Sequence, residues 1–155
     1  MERATQPAGH RLRRGRVSEP GRIYLVTANC WNRHTVFREL ESGRAVVGGL
    51  REAEDLAETW CFVVMPDHIH WLMQLRDGAS LERAVGKVKA RATLRLRNLR
   101  PELAEARIWQ PGFHDRALRR YEDLRAVARY VVANPLRAGL VERIEDYPLW
   151  DACWL

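Results

Sequence analysis

The sequence predicts an α+β domain: a ferredoxin-like antiparallel sheet of the split β-α-β type, with helices on one face. Three observations carry that expectation. Runs of strand-forming residues with period-2 alternation occur at Ile23 to Cys30, Trp60 to Met65 and His68 to Leu75. Two longer stretches with helical spacing, Ser42 to Glu58 and Leu81 to about Leu99, separate and follow them. A short extended piece near Arg107 to Gln110 then precedes a third helical stretch. The order strand, helix, strand, strand, helix, strand, helix is that of a split β-α-β sheet.

Each element has its own justification. Residues 1–21 hold Gly9-His10-Arg11-Leu12-Arg13-Arg14-Gly15-Arg16 and two prolines, without periodicity. They read equally as a solvated, flexible tail and as a basic arm whose Arg11, Arg13, Arg14 and Arg16 order on DNA. Residues 22–155 make the single folded domain. Ser42 is a plausible N-cap for the first helix, whose apolar side carries Ala45, Val46, Leu50, Ala53, Leu56 and Ala57. Pro66-Asp67 has turn chemistry between two strands, and Asp77-Gly78 closes the far end of that hairpin. Ser80 caps the second helix, with Glu82 in its first turn and Arg and Lys in later ones, and Pro101 stops it. From about Asp115 onward, Leu118, Leu124, Val127, Val131 and Val132 recur near helical spacing. Pro135 disfavours the helical conformation at Asn134 and marks the end.

At 155 residues the chain is long enough for one real core, and six Trp with 46% apolar residues argue for a folded globule. The net charge of +6 suits a phosphate-rich partner. Only Lys87 and Lys89 are lysines; the remaining positive charge is Arg, a skew that GC-rich codon usage accounts for more readily than phosphate binding. Cys30, Cys61 and Cys153 form no Cys-x-x-Cys, so neither a zinc ribbon nor a disulfide framework is indicated. No apolar leader or run of about 20 apolar residues is present, which points to a soluble, cytoplasmic protein.

His68-Ile69-His70 is the most informative stretch. Side chains alternate along a strand, so both imidazoles share one face while Ile69 points into the core. Two neutral imidazoles make half of a divalent-metal site, although a lone pair at this spacing is more often two surface histidines. Downstream, Tyr130 and Asn134 stand at i and i+4, one helical turn apart and just before the helix stop. By position alone such a tyrosine is more often a packed residue than a nucleophile.

The two segments together resemble the HUH single-strand DNA transposases with one catalytic tyrosine, and most closely the REP-associated tyrosine transposases. The resemblance is carried by Met65-Pro66-Asp67-His68-Ile69-His70-Trp71-Leu72 and by Tyr130-Val131-Val132-Ala133-Asn134-Pro135-Leu136-Arg137-Ala138-Gly139-Leu140-Val141. Tyr24 to Asn29, Trp109 to Asp115 and Asp146-Tyr147-Pro148 support it, so it covers the chain from about Ile23 to Trp150.

The resemblance implies the same fold, with the His pair on the open sheet face and a C-terminal tyrosine-bearing helix crossing to meet it. It implies Tyr130 as nucleophile, His68, His70 and Asn134 as ligands of Mg²⁺ or Mn²⁺, and a covalent phosphotyrosine on single-stranded DNA beside REP-like hairpins. The protein is then expected at the bacterial nucleoid when bound to DNA, as a monomer or a homodimer. Further DNA contacts are expected from Lys87, Lys89, Arg91, Arg95, His114 and Arg137, each also readable as an ordinary surface residue. Tyr121, half a rotation from Tyr130, reads as structural, Asp115 as a helix cap and Asp67 as a turn residue. The alternatives are a domesticated hairpin-binding protein without catalysis, or a nuclease with a water nucleophile.

Overall fold

In the computed structural model, which describes residues 18–119 and 122–154, every second side chain of β1 (Ile23–Asn29) is buried: Tyr24, Val26 and Ala28. That is the pattern of a strand lying between two unlike layers. The basic arm residues Arg11, Arg13, Arg14 and Arg16, and Tyr121, lie outside the described residues. Beside β1 run β2 (Ala57–Met65), β3 (His68–Leu75), β4 (His114–Ala117) and β5 (Trp150–Ala152). Their order is β4-β1-β3-β2-β5, with every neighbouring pair antiparallel. The α+β expectation holds, and the order of the first four strands is compatible with the ferredoxin-like form.

Helices α1 (Leu40–Glu52) and α2 (Leu81–Leu99) cover one face. Val46, Leu50, Val88, Ala92 and Leu96 pack there with Ile69, Trp71 and Met73 from the sheet. The two helices meet closely at Gly49, where an added Cβ would stand 2.7 Å from the Val88 carbonyl oxygen. Gly49→Ala should therefore destabilise the fold by about 1–2 kcal/mol, because backbone must move. The gain of roughly 1 kcal/mol that Ala has over Gly inside a helix does not offset this. Thermal denaturation would register it as a lower midpoint.

The opposite face carries a smaller cluster. There Ala128 and Val131 of α3 (Leu124–Val132) are buried against Cys61, Val63, Met65 and Leu72. The C-terminal segment is fastened across β2: the Tyr147 hydroxyl donates to the Val64 carbonyl, and the Val64 amide donates to Leu149 O at 2.9 Å. Among the described residues no helix is long and apolar enough to cross a membrane.

Several local expectations are corrected. Ser42 is not the cap of α1; Glu39 holds that position, and Ser42 is buried within the first turn, with Arg100 Nη1 3.4 Å from its Oγ. α1 ends at Glu52 rather than Glu58, since Ala57, Glu58 and Thr59 find ladder partners in Leu75, Gln74 and Met73 of β3. Asp77-Gly78 closes no hairpin but turns β3 toward α2, with Gly78 at φ +75°. The helix expected from Asp115 begins only at Leu124. His114–Ala117 is instead an edge strand on β1, a case of tertiary pairing overriding local pattern. The cap of α3 is Asp123, whose Oδ1 accepts from the Arg125 and Ala126 amides, and not Asp115. Pro135 both ends and restarts helix: α3 stops at Val132, and Pro135 sits in the first turn of α4 (Asn134–Arg137), where its missing N–H costs nothing. Tyr130 and Asn134 thus belong to two successive helices.

Candidate active site

Register places the histidines. β1 pairs with β3 so that Thr27 faces His70 and Asn29 faces His68. Ile69, Trp71 and Met73 fill the α1/α2 side, so His68 and His70 lie with Leu72 on the face that α3 partly covers. The two rings meet edge to face, with centroids 4.9 Å apart.

Both imidazoles are held through Nδ1. His68 Nδ1 lies 2.6 Å from Asp67 Oδ1, and His70 Nδ1 lies 2.9 Å from Thr27 Oγ1. Asp67 is in turn gripped by Arg33, whose Nε donates to Oδ2 at 3.0 Å. Asn32 and Arg33 reach this position through left-handed backbone, at φ 51° and 55°. Non-glycine residues adopt that region uncommonly, and such strain gathers at functional sites. Burial raises the pKa of Asp67, but the hydrogen bonds from His68 and Arg33 outweigh it and hold the carboxyl below its ordinary value. Burial first, and then the charges of His68, Arg137 and Arg33, push His70 down to about 4. His70 is therefore neutral at neutral pH. If Nδ1 of the neutral ring donates to Thr27 Oγ1, Nε2 keeps its lone pair, which is the ligand state.

Among the described residues no group of three or more His, Cys, Asp or Glu gathers around a common point. A third donor drawn from the described residues would be of another kind. Asn134 qualifies chemically: its Nδ2 donates to Val131 O at 2.7 Å, which fixes the amide and leaves Oδ1 available. Imidazole nitrogens with an amide oxygen suit a divalent cation such as Mg²⁺ or Mn²⁺.

Tyr130 is 66% exposed although its neighbour Val131 is buried. The Arg137 guanidinium lies over its ring at 3.8 Å from the centroid, and Arg137 Nη2 donates to the Tyr130 carbonyl at 2.6 Å. His114 on β4 pairs across to Thr27, so it shares the face of His70, one strand beyond Thr27. Asp115 points the other way and is 7% exposed. Arg91 is exposed on α2. Lys87 pairs with Asp55 at 2.9 Å and Arg95 with Glu52 at 3.5 Å. Lys89 is turned inward, its ammonium on the carbonyls of Gln110 and Gly112. Thr27 and Arg33 were not singled out from sequence. Thr27 stood in a recognised segment, but its partner depends on strand register, and nothing local marks Arg33.

The chain matches the family model described as "Transposase IS200 like" over residues 25–134 and belongs to that family, which makes it a DNA-processing enzyme of the transposase kind. It is 26% identical over 137 residues to a REP-associated tyrosine transposase of Escherichia coli, across 83% of this chain and 74% of that one. A Haemophilus influenzae protein provisionally given the same name is 30% identical over 99 residues, 59% of this chain and 56% of that one. The chain thus spans little more than half of this second relative. A solved REP-associated tyrosine transposase bound to a REP hairpin has the same fold, with TM-score 0.71 and 24% identity over 87% of this chain and 79% of that one. Together these put the chain on the REP-associated tyrosine branch that its motifs resemble.

Proposed function

We propose that this protein cleaves and rejoins single-stranded DNA beside REP-like hairpins through a covalent 5′-phosphotyrosine on Tyr130. In the first step the Tyr130 oxygen gives up its proton and bonds to phosphorus, and the bond to the 3′ oxygen breaks, that oxygen taking up a proton to leave as a 3′-hydroxyl. In the second step a 3′-hydroxyl attacks the phosphotyrosine, remaking a phosphodiester and returning the phenol. His68, His70 and Asn134 would hold a divalent cation, Mg²⁺ or Mn²⁺, which when bound withdraws charge from a non-bridging phosphate oxygen. Asp67 and Thr27 keep the two imidazoles in the tautomer and orientation that ligation requires.

One observation carries the reading. Two imidazoles, each fixed through Nδ1, lie on the sheet face over which the tyrosine-bearing helix packs. The hydroxyl of Tyr130 makes no hydrogen bond among the described residues. The hairpin substrate is supported by the relative solved with a REP hairpin. The test is covalent trapping: end-labelled single-stranded hairpin DNA from the flanks of the gene, with Mn²⁺ or with chelator, resolved on a denaturing gel. A metal-dependent protein–DNA adduct is expected. Tight hairpin binding with no adduct, under conditions where Mn²⁺ binds, would instead mean a hairpin-binding protein without catalysis.

Thr27 supplies a second check. Thr27→Val keeps the shape but removes the oxygen beside His70 Nδ1, and should weaken Mn²⁺ binding by about 10-fold. Calorimetric titration of the DNA-free protein measures this. Unchanged affinity would remove Thr27 from the site.

A further inference from the structure

Resting on the strand-transfer reading above, we propose that Arg137 is a positioning and phosphate-binding residue: its guanidinium holds the Tyr130 ring and offers its remaining N–H groups to the scissile phosphate. Two contacts already fix this side chain. Cζ stands 3.8 Å from the centre of the Tyr130 ring, and Nη2 donates to the Tyr130 carbonyl at 2.6 Å. The second contact alone would be ordinary capping of the last turn of α3, where cations are favoured. Capping needs one N–H and does not require the guanidinium to lie over an exposed ring. Guanidinium presents five donors in one plane, and among the described residues only Nη2 is engaged. Among the described residues no carboxylate lies within salt-bridge reach of it, in contrast to Arg33, Arg76 and Arg100.

Arg137 stands on α4, which packs against β2, the strand next to the one that carries His70. A phosphate approached by the Tyr130 oxygen would sit at the rim of the stacked guanidinium. In-plane N–H groups suit its non-bridging oxygens. Stacking on the ring would at the same time restrict the two side-chain torsions of an otherwise solvent-exposed tyrosine. An ammonium can supply the charge but neither the plane nor the stack.

The test begins by mapping the cleaved position from the wild-type adduct. Binding is then measured in a Tyr130→Phe background, which keeps the ring but cannot react. Two oligonucleotides are compared, one ordinary and one with a neutral methylphosphonate at the mapped position. With Arg137 present, neutralising that phosphate should weaken binding by about 5-fold; in Arg137→Ala the difference should fall below about 2-fold. With Tyr130 intact, Arg137→Lys should slow single-turnover adduct formation by about 30-fold or more, with hairpin affinity within about 3-fold of wild type.

A mere cap would lower the melting temperature without changing the methylphosphonate difference. Persistence of that difference in Arg137→Ala, or a wild-type rate in Arg137→Lys, overturns the proposal. If the wild-type protein forms no adduct, the strand-transfer reading has failed and this inference falls with it. If it does form one and the Arg137 variants match it, this inference alone fails.

Discussion

Tyr130→Phe is expected to abolish the DNA adduct and lower strand cleavage by about 10⁴-fold or more, while fold and hairpin affinity stay near wild type. Loss of a nucleophile commonly costs that much, because the remaining groups act only through it. The replacement is mild for the structure. Tyr130 is 66% exposed, and Phe retains the ring on which Arg137 stacks. Stability should change by less than about 0.5 kcal/mol, as for other surface substitutions.

No other described tyrosine is placed to take over. The Tyr147 hydroxyl is held by the Val64 carbonyl, and burial pushes its pKa up to about 12. Tyr24 is in the core, its hydroxyl accepting from the Glu19 amide at 2.9 Å. The measurement is a denaturing gel beside a binding titration and a thermal melt. Cleavage that survives Tyr130→Phe would mean a water nucleophile and would sink the phosphotyrosine mechanism.

What could be read from the chain and what could not divide along a physical line. His68 and His70 were legible because strand alternation is a local rule, and the structure puts both on one face. Ser80 was legible for the same reason: its Oγ accepts from the Arg83 amide, as a capping serine should. β4 was not. Four residues carry little periodic signal, and their conformation is set by the edge of β1, some ninety positions earlier in the chain. The roles of Thr27 and Asp67 were hidden likewise, since each depends on which atom of which ring lies opposite. Arg137 was visible as a charge, but its stacking on Tyr130 follows from the break between α3 and α4, which Pro135 only hints at.

Lys89 separates a sequence-level expectation from a structural one most sharply. As a phosphate contact, its loss should weaken DNA binding and lower the salt dependence by about one unit of slope. The structure argues for another outcome. The ammonium reaches Gln110 O at 3.0 Å and Gly112 O at 2.6 Å, and lies 5.8 Å from the centre of the Trp109 ring. Those carbonyls belong to the segment that delivers His114 to β4. Lys89→Met keeps an apolar stem of similar length but removes the donors, and should destabilise the fold by about 2–3 kcal/mol, with the salt slope of DNA binding unchanged.

A pH series distinguishes the two outcomes independently. Burial pushes the Lys89 pKa down to about 8 from its ordinary 10.5. Between those values the unfolded chain holds the proton more tightly than the folded one, so the contribution of Lys89 to stability rises with pH across that window. The neutral amine still carries two N–H groups and can satisfy the same two carbonyls. Wild-type stability measured relative to Lys89→Met should therefore climb from pH 8 toward 10.5. DNA affinity relative to the same variant should stay flat, whereas a lysine acting on phosphate would lose affinity as it deprotonates.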